Sequence, residues 1–123
     1  MKWKTLYKRQ KGNYWEQKAQ EYLKRKGMSS LTRNYYSRFG EIDLIMKDGG
    51  TIVFVEVKYR KSAAFGGAIA SITNKKQQNL TKTATIYLQQ AQLNAYNTPC
   101  RFDIVTIEGE EDSPTITWLK NAF

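Results

Sequence analysis

Apolar and polar positions alternate most clearly between residues 40 and 60. Ile42, Leu44 and Met46 form one β-prone run, and Ile52 to Val55 with Val57 form another. Asp48-Gly49-Gly50 separates them, and glycine accepts the positive φ that a tight hairpin turn needs. The pattern predicts an antiparallel pair over residues 40–47 and 51–59. With Gly49-Gly50 as a two-residue turn, Asp43 lies opposite Glu56, and Glu41 lies opposite Lys58. Upstream, Trp15, Ala19, Tyr22 and Leu23 recur at helical spacing and predict a helix over 14–26. Asn13 would cap it, and Gly27 would end it. Residues 1–11 show no period and read as a loose basic arm. Residues 31–37 read as a first strand, with Tyr35 and Tyr36 facing opposite ways.

Residues 60–72 read as a loop holding Gly66-Gly67, either a mobile element over a substrate or a flexible linker. Thr73 suits the cap of a long helix over 74–95, whose stripe is Leu80, Ala84, Tyr87, Leu88 and Ala91. Pro99 ends that region, and 101–108 reads as a strand. A helix between two strands implies a crossover, so this strand should run parallel to 51–59. An acidic turn over 108–112 leads to a short edge strand at 115–119. The order α-β-β-β-α-β-β predicts an α/β fold: a mixed sheet of about five strands flanked by helices. One domain over 1–123, with its core at about 12–119, suits this length.

The hairpin also carries Glu41, Asp43, Glu56 and Lys58 among its apolar residues. Like charges directly opposite destabilise a sheet, so Asp43 beside Glu56 calls for something positive. A divalent cation such as Mg²⁺ fits, because it takes oxygen ligands from carboxylates and water. The chain has no His and one Cys, which leaves no ordinary zinc site. A plainer reading stays open, in which these are solvated side chains and Glu41 pairs Lys58 across the strands. On the helical wheel Glu16 points within about 20° of Leu23, at the edge of the buried stripe. There it either finds a partner or serves as an ordinary first-turn acid near Gln20.

Charge changes the picture further. The chain has 20 basic and 11 acidic residues, a net charge of +9. The acids collect in the hairpin and in the tail after Phe102, and none lies between Val57 and Phe102. Such asymmetry suggests a polyanion-binding surface, with DNA first and structured RNA open. Arg9, Lys11, Arg33, Arg38, Arg60, Lys61 and Lys75 are the candidate phosphate contacts. Nothing approaches a membrane span or a signal peptide. Cys100 reads as a small apolar residue at a strand start, and a lone Cys suits a reducing cytoplasm.

The motifs I-D-L-I and V-F-V-E-V-K resemble the signature of the PD-(D/E)XK nuclease superfamily. The chain resembles the YraN family of small bacterial endonuclease-like proteins over about residues 10–108. The likeness takes in Gly12 to Glu16, R-N-Y near Arg33, G-E-I-D-L-I, F-V-E-V-K-x-R, Lys76-Gln77 and Arg101 to Asp103. That family is similar to archaeal Holliday junction resolvases. The resemblance implies a restriction-endonuclease-like core and phosphodiester hydrolysis of DNA, branched DNA included. It implies Mg²⁺ or Mn²⁺ on Asp43 and Glu56 with the Val57 carbonyl. It makes Lys58 the group that orients or deprotonates water, and Glu16 a supporting acid. Glu41, Lys76 and Gln77 would support the site or touch substrate. Cutting a two-fold symmetric junction would require a homodimer. The rival expectations are a nucleic-acid-binding module without turnover, and a subunit docking through Trp3, Tyr59 or Trp118. Asp103, polar in an apolar strand, is expected to bind Arg101 or another arginine.

Overall fold

A computed structural model describes residues 2–61 and 72–123, with side chains from Asn13 onward. The chain runs α1 (Lys2–Arg25), β1 (Ser29–Ser37), β2 (Gly40–Asp48), β3 (Thr51–Arg60), α2 (Asn74–Gln90), β4 (Cys100–Glu108) and β5 (Thr115–Leu119). The five strands form one sheet in chain order. Pairing is antiparallel except between β3 and β4, which the α2 crossover makes parallel. This is the mixed α/β sheet with two helices that the residue pattern predicts.

Each face of the sheet takes one helix. Trp15, Ala19 and Leu23 of α1 pack with Leu44, Met46, Val53, Val55, Val105 and Ile107. Leu80, Ala84 and Leu88 of α2 pack with Ile42, Ile45, Ile52, Phe54 and Ile104 on the other face. Strand β3 lies between both layers, so its run from Ile52 to Val55 is apolar without alternation.

Helix α1 stops as expected. Gly27 adopts φ +99°, Met28 N–H donates to Leu23 C=O at 3.1 Å, and Gly27 N–H donates to Lys24 C=O at 3.0 Å. That bond pair is the Schellman stop, and Met28 packs with Leu23 beneath it. Its start is a correction: the helix begins at Lys2, so residues 2–11 are no loose arm and Asn13 is no cap. Lysine, arginine and glutamine favour helix, and no proline interrupts the run.

Helix α2 starts as expected, with Thr73 Oγ1 accepting from Lys76 N–H at 3.1 Å. It ends at Gln90 and does not reach residue 95. Gln92 takes the left-handed position at φ +58°, and Leu93 N–H donates to Leu88 C=O at 2.8 Å. Ala91 is exposed beyond the helix. At the C-terminus packing continues past residue 119: Ala122 N–H donates to Phe102 C=O at 2.7 Å, and Phe123 stacks on Phe102. The expected mobile loop falls largely on residues 62–71, outside the described residues. No described helix is long and apolar enough to cross a membrane.

Candidate active site

The site lies where β2 breaks its alternation. Ile42 and Ile45 both face α2, whereas Leu44 and Met46 face α1. Strict alternation would put Ile42 with Leu44, so the chain turns over at Asp43. The ladders record the break. Pairing of β2 with β3 runs from Asp48↔Thr51 to Leu44↔Val55, the register the turn predicts, and stops before Asp43. Pairing with β1 skips from Arg33↔Leu44 to Tyr35↔Ile42. The skipped β1 residue is Asn34, in the left-handed region at φ +52°. The register is the same on both sides of this gap, and the ladder's recorded shift lies between Ser30 and Thr32. The Asp43 carboxylate turns toward β3 and accepts the Val57 N–H at 2.9 Å, in place of a ladder carbonyl.

Asn34 gathers the acids on the α1 side. Its Nδ2 donates to Glu16 Oε1 and to Glu41 Oε1, each at 2.7 Å. Ligand oxygens of Glu16, Glu41 and Asp43 lie within 4.8 Å of one another. Glu56 and Lys58 alternate with Val55 and Val57 and so face α2. There Lys76 Nζ lies 2.7 Å from Glu56 Oε2. Glu56 is 5% exposed, whereas the Lys76 side chain stays partly in solvent. The two halves meet in a cavity of about 590 Å³. Glu16, Glu41 and Asp43 line it from α1 and β2, and Lys58, Lys75 and Lys76 from β3 and α2. Trp15 and Tyr59, stacked at 4.1 Å, complete its floor.

Electrostatics follow from this crowding. Burial, then the Glu56 charge and a hydrogen bond with Glu56, push the Asp43 carboxyl up to about 9. Burial also raises Glu16, against the lowering effect of the Asn34 hydrogen bond. Burial and the neighbouring Lys76 charge lower Lys58. For Lys76 burial works downward, but the Glu56 hydrogen bond and charge prevail and raise it. The metal-free cluster therefore holds Asp43 as a neutral acid at ordinary pH, and Lys76 is the cation that Glu56 binds.

The hairpin's Glu41, Asp43, Glu56 and Lys58 thus line one cavity, and Glu16 of α1, which the resemblance brings to the same cluster, lines it too. Glu41 does not pair with Lys58; it is held by Asn34, because the turn at Asp43 separates the two faces. Val57 lines the cavity and presents its N–H to Asp43. Gln77 turns away, and its Nε2 donates to Ile72 C=O at 3.3 Å. Arg33 is also turned inward, donating to Asn13 C=O at 3.2 Å and lying 4.0 Å from Glu16. Arg38, Lys61 and Lys75 are exposed, and Arg60 ends β3 half-buried. The side chains of Arg9, Lys11 and Trp3 lie outside the described residues.

Tyr59 and Trp118 are not free docking aromatics. Tyr59 stacks on Trp15 and donates to Gly109 C=O at 3.0 Å. Trp118 donates to Asp103 Oδ2 at 2.8 Å. Asp103 also binds Arg101 Nε at 3.0 Å, as expected, and the Asn121 N–H at 2.8 Å. Cys100 is exposed, not a packed apolar residue.

Asn34 is the functional residue that the residue pattern does not single out. Its signal is an asparagine, the commonest non-glycine left-handed residue, inside an otherwise β-prone run.

Fold and site define a class: a small α/β domain whose acids gather at a break in the second strand, facing a basic helix. Residues 15–107 match the uncharacterised protein family UPF0102, and the chain belongs to that family. A UPF0102 protein of Colwellia psychrerythraea is 58% identical over 113 residues, covering 92% of this chain and 88% of the relative. One of Vibrio campbellii is 48% identical over 116 residues, covering 94% and 93%. The UPF0102 protein YraN of Escherichia coli is 43% identical over 120 residues, covering 98% and 88%.

Proposed function

We propose that this protein hydrolyses phosphodiester bonds of DNA with a divalent cation, as a nuclease of the PD-(D/E)XK kind. One observation carries the reading: a desolvated Asp43 set against Glu56 and Glu16 in the same cavity as a lysine of lowered pKa. Among the described residues the backbone donor to Asp43 is the Val57 N–H. A half-buried cluster of like charges around a buried Glu56 is costly unless it holds protons or a cation. The donor set is all oxygen, with no histidine in the chain, and Cys100 lies outside the cavity. That chemistry fits Mg²⁺ or Mn²⁺.

Asp43 and Glu56 would hold the cation, with Glu16 and Glu41 beside them. A bound Mg²⁺ makes water more acidic and polarises the phosphoryl oxygen. Lys58 does the chain's own share of proton handling: its lowered pKa raises the fraction of free amine that can orient and deprotonate water. Lys75 and Lys76, on the opposite wall, suit the non-bridging oxygens of the scissile phosphate. As Lys58 takes a proton from water, the water oxygen bonds to phosphorus and the bond to the leaving strand breaks; the departing oxygen takes a proton from solvent. Branched DNA is the substrate that likeness to junction resolvases favours, and a reducing cytoplasm suits the single free cysteine.

A second reading has its own observation. Lys76 already neutralises Glu56 at 2.7 Å, which suits a nucleic-acid-binding module whose acids are held closed by lysine. The deciding experiment incubates the protein with labelled linear, flapped and four-way DNA in Mg²⁺ or Mn²⁺. Metal-dependent cleavage that drops by about 10²-fold or more in Asp43→Asn supports the enzyme. Binding without cleavage on every substrate gives the second reading, and cleavage that survives Asp43→Asn removes this site from the chemistry.

A further inference from the structure

At the rim of the cavity, where Phe39 and Thr83 help line it, the tip of the β1–β2 hairpin touches helix α2. Arg38 and Phe39 form that tip, and Lys82 reaches it from the helix. The Arg38 guanidinium carbon lies 4.9 Å from the Phe39 ring centre, and Lys82 Nζ lies 5.0 Å from it. One aromatic ring therefore contacts two cations. Neither cation, nor Lys75, forms an ion pair with a carboxylate among the described residues. The inward cations contrast with them, since Arg101, Lys76 and Arg33 each have an acid partner.

The tip is fastened. Thr83 is fully buried, and its hydroxyl donates to Asn79 C=O at 2.9 Å. That leaves its oxygen to accept from the Ser37 hydroxyl at 2.7 Å, and Ser37 Oγ in turn accepts the Phe39 N–H at 3.0 Å. This chain of hydrogen bonds locks the hairpin tip to α2 before anything binds, which lowers the ordering cost of a ligand.

Helix α2 carries Lys75, Lys76 and Lys82 and no acid. Lys75 and Lys82 are seven residues apart, so they share a helix face about 10.5 Å apart along the axis. That span matches roughly three base-pair steps of 3.4 Å measured along the duplex axis. Two lysines in the first turn oppose the helix dipole, a cost that a bound anion offsets.

We propose that the Arg38–Phe39–Lys82 seam, continued by Lys75, is a subsite for the sugar-phosphate backbone of DNA. It holds the strand along α2 as it leaves the acid cavity, whose wall Phe39 and Lys75 share, and it reads no sequence. Phe39 acts as the spacer that keeps two cations close without a carboxylate. The inference rests on the nucleic-acid reading above, but not on turnover.

The test is binding of a labelled duplex DNA in EDTA, followed from about 50 to 200 mM salt, the range where counterion release is steep. Arg38→Ala and Lys82→Ala should each reduce the slope of log affinity against log salt by about 0.9. Each should weaken binding roughly tenfold at about 0.1 M, whatever the DNA sequence. Phe39→Leu should weaken binding with no change of net charge. Lys47→Ala, an exposed lysine at the far end of β2, should leave the slope as it is. Wild-type binding with unchanged slopes in both seam variants would overturn the subsite and leave the nucleic-acid reading standing. No binding at the lowest salt would overturn both.

Discussion

Asp43 lies where the β2 side chains change face, with Glu56 and Glu16 beside it and one backbone donor. Its folded pKa, pushed up to about 9, stands above the ordinary value near 3.9. Between those values the native state binds more protons than the unfolded chain. Stability of the metal-free protein is therefore full below about pH 4 on this account, and falls as pH rises toward about 9. Asp43→Asn keeps an oxygen for the Val57 N–H and removes the charge. In EDTA at pH 8 it should be more stable than wild type by at least about 1.4 kcal/mol, the worth of one pH unit. Urea melts at pH 5 and pH 8 check this, and a wild type that loses no more stability than the variant would refute it. Lys76 offers a companion test. It neutralises Glu56 directly, so Lys76→Met should raise Mn²⁺ affinity roughly tenfold by freeing that carboxylate, as titration calorimetry would read. Weaker Mn²⁺ binding in Lys76→Met would make Lys76 a supporter of the site. The acids themselves are legible in the sequence, because charges inside apolar strands stand out. The fate of Glu41 is not, since β2 changes face at Asp43 and a left-handed Asn34 on the neighbouring strand takes up the carboxylate.

Elements are legible where stop and start signals are local. Gly27 marks the end of α1, Thr73 the start of α2, and Asp48-Gly49-Gly50 the hairpin register. The end of α2 is hidden because its left-handed stop residue is glutamine, which carries no such signal. A non-glycine residue in that conformation costs roughly 1–2 kcal/mol, partly offset by the greater chain entropy of glycine. Gln92→Gly should then stabilise the protein by up to about 1 kcal/mol and raise the thermal midpoint by a few degrees. Calorimetric melting checks it, and a lowered midpoint would mean that the Gln92 side chain contributes contacts that outweigh the strain. The start of α1 is missed for a different reason: Trp3, Leu6 and Tyr7 stand at helical spacing, but five basic residues among 2–11 and Gly12 after them obscure so short a stripe.

Across the whole molecule, acids from α1, β2 and β3 meet lysines from β3 and α2 at one cavity. A cation there would touch carboxylates of three elements, Glu16 of α1, Asp43 of β2 and Glu56 of β3, so its binding energy is stability of the fold. At a concentration about a hundredfold above its dissociation constant it would add about 2.7 kcal/mol. The raised pKa of Asp43 sets the pH dependence. Below about 9 the cation must displace a proton, so affinity should climb up to tenfold per pH unit toward that value. Thermal melts in Mn²⁺ against EDTA should therefore show a larger gain at pH 8.5 than at pH 6.5, and little gain in Asp43→Asn. Calorimetry in buffers of different ionisation enthalpy should detect about one proton released per ion. A gain independent of pH, with no proton released, would mean that the ion binds without Asp43. The acids of α1 and β2 would then act as a surface charge, and the α2 lysines would be left as the main determinant of what this fold binds.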